Sequence, residues 1–178
     1  MVIMGLDITG YGSEKDYHWG YGGIHQIRVL SLLCMKLDEK IPLGEIEKER
    51  VYLEGILHEH VDLLYAKKSL LRDWMYGKDY PKTERKFTDN DLKDFRQLIH
   101  FSDCEGILVP DWCLDDVNYS ESYMFGSSTE LLEELERLKD WIARNPTMVN
   151  SNESEIFFML YDLVFDTVEN GSGILSFH

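Results

Sequence analysis

At 178 residues, 44% of them hydrophobic and 12% aromatic, the chain carries enough apolar material for one globular domain and falls outside the disordered class. Its 18 Lys and Arg stand against 33 Asp and Glu, a formal charge of −15, and its pI lies near 4.7. Such a surface repels phosphates and anionic membranes, which excludes a conventional nucleic-acid binder and leaves two readings. One is a solvated acidic surface that aids solubility. The other is an acidic face for a basic protein partner, as in a DNA mimic.

Cys34, Cys104 and Cys113 are odd in number and have no short paired spacing, which points to a reducing, cytoplasmic setting without a disulfide framework. No apolar run approaches the roughly 18 residues of a membrane span, and the opening residues show no basic region followed by an apolar core.

In chain order, the opening "MVIMGLDITGYG" alternates, with Met4, Leu6 and Ile8 on one face, and predicts a short strand ending in a turn at Gly10 and Gly12. A glycine-rich loop at 20–23 follows. Ile24, Ile27, Leu30, Cys34 and Leu37 then recur at helical spacing until Pro42 and Gly44. Residues 45–76 predict one long helix or two in sequence, and 77–86 an exposed loop, locally basic. Thr88 or Asp89 offers an N-cap for a helix that buries Leu92, Phe95, Leu98 and Ile99.

Ser127 with Glu130 fits a capping box, and Leu131, Leu135, Leu138 and Ile142 form the face of a helix that stops before Pro146. Asn152 with Glu155 offers a second cap, for a helix running to Glu169. "ILSFH" then predicts a terminal strand that pairs with the opening one. The fold expected is therefore α+β: a helix-dominated single globular domain over residues 1–178, with a small antiparallel sheet pairing the N- and C-terminal strands.

Two stretches carry candidate chemistry. In "HWGYGGIHQIRVL" glycines lead a helix, whose free N–H groups and dipole favour an anion there. Gly22 and Gly23 would supply the amides, Arg28 the charge and His25, three residues earlier, a titratable group on the same side. Trp19 and Tyr21 would stack on a planar ligand or wall it from water. The glycine spacing matches neither the phosphate loop nor the dinucleotide fingerprint. The competing account is a tight turn with packed aromatics, in which Gly22 and Gly23 take positive φ and His25 bonds internally.

In "HFSDCEG" a turn at Asp103, Glu105 and Gly106 would present two carboxylates to one point. A calcium loop would place Phe101 and Trp112 at its first and twelfth positions, which removes two ligands. A transition-metal site from His100, Asp103 and Cys104, completed by His18 or His25, is chemically allowed. Cys104 with His100 or His25 as base would make a nucleophile, although Asp103 and Glu105 raise the thiol pKa. The bland alternative is a turn locked by Gly106 with Cys104 buried. His58 and His60 fall on different helix faces and lack zinc spacing, and Asp111, Asp115 and Asp116 argue against base stacking by Trp112, Tyr119, Tyr123 and Phe125.

Taken in order, "MGLDI" from Met4, "WGYGGIHQIR", "SDCEG" followed by a proline, and "LSFH" resemble a family of uncharacterised bacterial and phage-encoded proteins that begin Met-Gly-Leu-Asp. The resemblance spans nearly the whole chain and would make the first three residues an upstream extension. It carries no established activity, cofactor or catalytic residue. It implies that the two stretches belong to one site, with Phe101 standing where relatives tend to have a histidine before Ser-Asp-Cys.

The function expected is binding of a small anionic or polar ligand by Trp19, Tyr21, Gly22, Gly23, His25 and Arg28, with Asp103 and Glu105 opposing. The alternative is an acidic protein-interaction factor of the phage accessory kind that takes a basic protein partner and has no small-molecule site. A metal-dependent or Cys-dependent hydrolase is the third reading.

Overall fold

A computed structural model of the chain describes residues 6–36, 48, 50–55, 57, 94–100, 106–114 and 125–178. The opening alternation becomes β1 (Asp7–Gly10), with Ile8 buried and Thr9 exposed. Gly12, at φ 85°, turns the chain back into β2 (Asp16–His18). Tyr17 lies opposite Ile8 and shares its buried face, whereas Asp7 lies opposite His18 on the other face.

The chain ends meet as expected. β5 (Leu175–Phe177) runs antiparallel to β1 with Ile8 opposite Phe177, and Asp7 and His178 exchange backbone hydrogen bonds of 2.7 and 2.9 Å. β3 (Ile107–Val109) pairs antiparallel with β5, and β4 (Phe125–Ser127) parallel with β3. The sheet is thus mixed, in the order β2-β1-β5-β3-β4. Its parallel pair and three of its strands were not expected, because three-residue strands are too short to show an alternating pattern.

Helices with defined bounds among the described residues are α1 (Gly20–Lys36), α2 (Arg96–His100), α3 (Ser128–Arg144) and α4 (Ser151–Glu169). Residues 50–55 are also helical, in agreement with the expected helix over 45–76; the rest of that stretch and the loop at 77–86 lie outside the described residues. α4 packs on β1 and β2, α3 on β3, and α1 on α3 and α4. Because side chains alternate along a strand, the described helices cover the sheet face that carries Ile8, Tyr17, Leu108, Leu175 and Phe177. The face with Thr9, Asp16, His18 and Ile107 is open to solvent.

Three local expectations are corrected. The glycines at 20–23 lie within α1 and form no loop, and among the described glycines only Gly12 and Gly173 take positive φ. The helix expected over Phe95, Leu98 and Ile99 begins only at Arg96, after a turn at Asp94 and Phe95; its expected caps Thr88 and Asp89, and Leu92, lie outside the described residues. The cap of α4 is Asn150, whose side chain takes the Glu153 N–H at 2.8 Å while Glu153 takes the Asn150 N–H at 3.0 Å. Asn152 and Glu155 are exposed.

α3 starts as expected, with Ser127 Oγ accepting from the Glu130 N–H at 2.9 Å. The Glu130 side chain does not reach back to the cap; it takes a hydrogen bond from Gln97. Leu131, Leu135 and Leu138 are fully buried with Phe157, Leu160 and Leu163 of α4. Each such side chain contributes about 1.5–3 kcal/mol on burial, so the core lies between these helices and the covered sheet face.

Candidate functional site

β2 delivers the chain directly into α1, which brings Tyr17, Trp19 and Gly23 together. A Cβ on Gly23 would stand 2.3 Å from Trp19 Cδ1 and 2.9 Å from the Tyr17 hydroxyl. That crowding gives Gly23 a packing role: the absent side chain is the space the two rings occupy. Tyr17 is 1% exposed, and its hydroxyl has no hydrogen-bond partner among the described residues. Burial raises its pKa, and the nearby Arg28 guanidinium pulls the other way.

Arg28 is itself buried, and its Nε donates to the Leu98 carbonyl oxygen at 3.0 Å. His25, one turn earlier on α1, is half-buried, and Trp19 is exposed at the helix start. Gly22 and Tyr21 lie in the first turn of α1, where backbone N–H groups lack intrahelical acceptors. Of the opposing stretch, Asp103, Cys104 and Glu105 lie outside the described residues, and His100 is placed only as the last residue of α2. Among the described residues no three His, Cys, Asp or Glu side chains gather as a metal site would require. Among the described residues Cys34 and Cys113 form no disulfide, and no described helix is long and apolar enough to cross a membrane.

The polar chemistry in the interior sits instead at the junction of α2 and α3. Glu134 is 3% exposed, and its two carboxylate oxygens accept from the N–H groups of Gln97 and Leu98, each at 2.7 Å. Burial pushes its pKa up to about 8, against the pull of those two amides and of Arg137. Gln97, fully buried, donates to Glu130 and accepts from the Ser127 N–H. Arg137 donates to the Asp94 carbonyl and lies over the Phe95 ring at 5.7 Å. Glu130, Glu134 and Arg137 are three and four apart, so one face of α3 grips residues 94–98. Glu134 was legible as an anomaly: it falls between Leu131 and Leu138 on the apolar face.

Beside this junction, a groove of about 400 Å³ runs past Cys34, Phe95, Arg137, Asp140, Trp141 and Arg144. Arg144 Nε donates there to the backbone carbonyl oxygen of Asp140 at 3.2 Å. On the open sheet face Asp7 accepts from the exposed His18 ring and raises its pKa.

The exterior of α4 is different. From Asn145 to Phe177 the sequence has no Lys, Arg or His. Glu155, Asp162 and Glu169 are exposed along the helix, with Phe158 and Phe165, 41% and 40% exposed, between them. Two other carboxylates are ion-paired: Glu136 of α3 with Lys139, and the buried Glu153 in the first turn of α4 with Arg50.

The fold and this exterior define a small helix-dominated α+β protein with an anionic surface. A family model described as "Putative DNA-mimic protein" matches residues 11–160, and the chain belongs to that family. Comparison with curated proteins and with solved structures gives no match.

Proposed function

We propose that the chain is an acidic interaction factor that occupies the nucleic-acid-binding surface of a basic protein partner. The observation that carries this reading is membership of a family described as DNA mimics in a chain with a formal charge of −15. DNA-binding proteins grip phosphates with Lys and Arg, and that grip needs only anions at the right places on a firm scaffold. Carboxylates on packed helices meet that need, and complementary charge speeds encounter with the partner.

The reading as a small-anion site at Gly22, Gly23, His25 and Arg28 has less support, because the Arg28 Nε is spent on the Leu98 carbonyl. The hydrolase reading rests on Cys104 with His100 or His25 as base, and Cys104 lies outside the described residues. An accessory factor of the bacterial or phage kind, working in the cytoplasm where DNA is, suits the proposed role.

The test is displacement. Labelled duplex DNA is bound to each of a panel of sequence-nonspecific, phosphate-gripping bacterial DNA-binding proteins, the chain is added, and anisotropy is read. Release of duplex from at least one, with the chain in complex with that protein and the complex weakening as salt rises, is expected. No release from any member at a large excess of chain overturns the proposal.

A further inference from the structure

Positions 155, 158, 162, 165 and 169 are three and four apart, so Glu155, Phe158, Asp162, Phe165 and Glu169 form one outward stripe along α4. We infer that this stripe is a docking face for a basic amphipathic surface of a protein partner, with Phe158 and Phe165 as apolar anchors and the three carboxylates as the charge match. The inference rests on the reading of the chain as an acidic interaction factor and assigns the face that makes the contact.

Two features support anchors rather than incidental exposure. The exposed rings are held by buried ones: Phe158 meets the Phe157 ring edge-on at 5.2 Å, and Phe165 stacks on Tyr161 at 5.8 Å. Tyr161 is fixed in turn by its stack on Phe157 and by Lys139 over its ring at 4.1 Å. Rings already ordered in this way lose little freedom on binding. Second, among the described residues Glu155, Asp162 and Glu169 have no ion-pair partner, whereas Arg50 and Lys139 are engaged by Glu153 and Glu136.

Magnitudes decide what kind of partner fits. Seven residues of helix rise about 10.5 Å, so the stripe carries a carboxylate about every 10 Å, against one phosphate per roughly 1.7 Å of duplex axis. The row is too sparse to copy a phosphate backbone by charge alone, and the apolar rings must supply part of the contact. A second copy of the chain is the wrong occupant. The stripe reads the same in both directions, so antiparallel self-pairing sets Asp162 against Asp162 and Glu155 against Glu169. Like charges across a contact are repulsive.

The experiment uses two synthetic 18-residue helical peptides of equal charge. One has Lys on one face and Leu on the other, and the second has Ser in place of Leu. Isothermal titration at physiological salt is expected to show the intact chain binding the Lys/Leu peptide at least about ten-fold tighter, as apolar anchors require. Phe158→Ser/Phe165→Ser, with its fold checked by circular dichroism, abolishes that preference. Asp162→Lys weakens binding of both peptides about ten-fold, whereas Glu133→Lys, exposed on α3, has a much smaller effect; this pair carries the test if the phenylalanine variant does not fold. If the preference survives in the phenylalanine variant, or if Asp162→Lys and Glu133→Lys are equivalent, the α4 stripe is not the dock, while the broader reading stands. If the intact chain binds neither peptide, the broader reading falls too.

Discussion

The Arg28 guanidinium donates to the carbonyl oxygen of Leu98 at 3.0 Å, across a separation of 70 residues. Both residues are buried, Arg28 at 3% exposure and Leu98 at 0%. The contact ties α1 to α2 and places the cation in the interior. Arg28→Ala removes a charged donor, leaves the carbonyl short of a partner and opens a cavity. The expected loss is about 2–4 kcal/mol in urea unfolding. A ligand arm waiting in a cleft would instead be nearly neutral, so a change under about 0.5 kcal/mol would sink the structural assignment.

Glu134 gives the fold a pH dependence whose sign follows from its environment. Burial raises its pKa from an ordinary 4.5 to about 8, so the folded chain binds a proton there more tightly than the unfolded chain does. Its contribution to stability is complete below about pH 4.5 and is lost as pH rises through about 8. Glu134→Gln cannot ionise, and its amide serves only one of the two backbone donors. The wild-type chain should therefore be the more stable at pH 5, with the gap narrowing toward pH 8. A gap that widens over this range in urea midpoints would reverse the assignment. Glu134→Ala leaves two buried N–H groups without their acceptor, at a cost of about 2–4 kcal/mol.

What the sequence made legible follows the range of the forces involved. α3 was readable because its determinants are local: Leu131, Leu135 and Leu138 at helical spacing, a Ser127 cap and a following Pro146. The pairing of the chain ends was readable from the two terminal apolar alternations. β2, β3 and β4 were not, since each has three residues and is a strand only through its neighbours. At the candidate site, the pattern around Gly23 and Arg28 was visible, but the acceptor for Arg28 is a backbone carbonyl, which every residue has and no sequence marks. The α4 stripe escaped notice because "IFFMLYDLVF", interrupted only by Asp162, reads as a buried helix. Only packing separates the buried Phe157 from the exposed Phe158.

At Gly10 the sheet lies close against α4: an added Cβ would stand 1.9 Å from Thr167 Oγ1 and 3.0 Å from Leu163 Cδ1. Thr167 is fully buried and donates to the Leu163 carbonyl oxygen at 2.7 Å, so it has little room to yield. β1 is paired on both sides and cannot shift alone. Gly10→Ala is expected to cost about 1–3 kcal/mol by overpacking. Adding Thr167→Ala should recover part of it, because the nearest clashing atom is gone. A double-mutant cycle with no coupling would refute the steric account.

The start of α4 can be tested between two asparagines that the sequence does not distinguish. Asn150 and Asn152 each have a glutamate three residues on, and either would make a capping box. The structure selects Asn150 because Glu153, 5% exposed, also anchors the helical residues 50–55 through Arg50. Arg50 donates to the Met148 carbonyl as well, so one buried cluster fixes the turn before the helix. Asn152 reaches only Gln26, at 3.3 Å on the surface. Asn150→Ala should therefore lower stability by about 1 kcal/mol, the usual worth of an N-cap. Asn152→Ala should stay within about 0.5 kcal/mol. Glu153→Ala, which breaks the box and strands a half-buried arginine, should exceed both at about 3 kcal/mol. If thermal denaturation ranks Asn152→Ala above Asn150→Ala, the helix begins two residues later and the Arg50 anchor is not what sets its start.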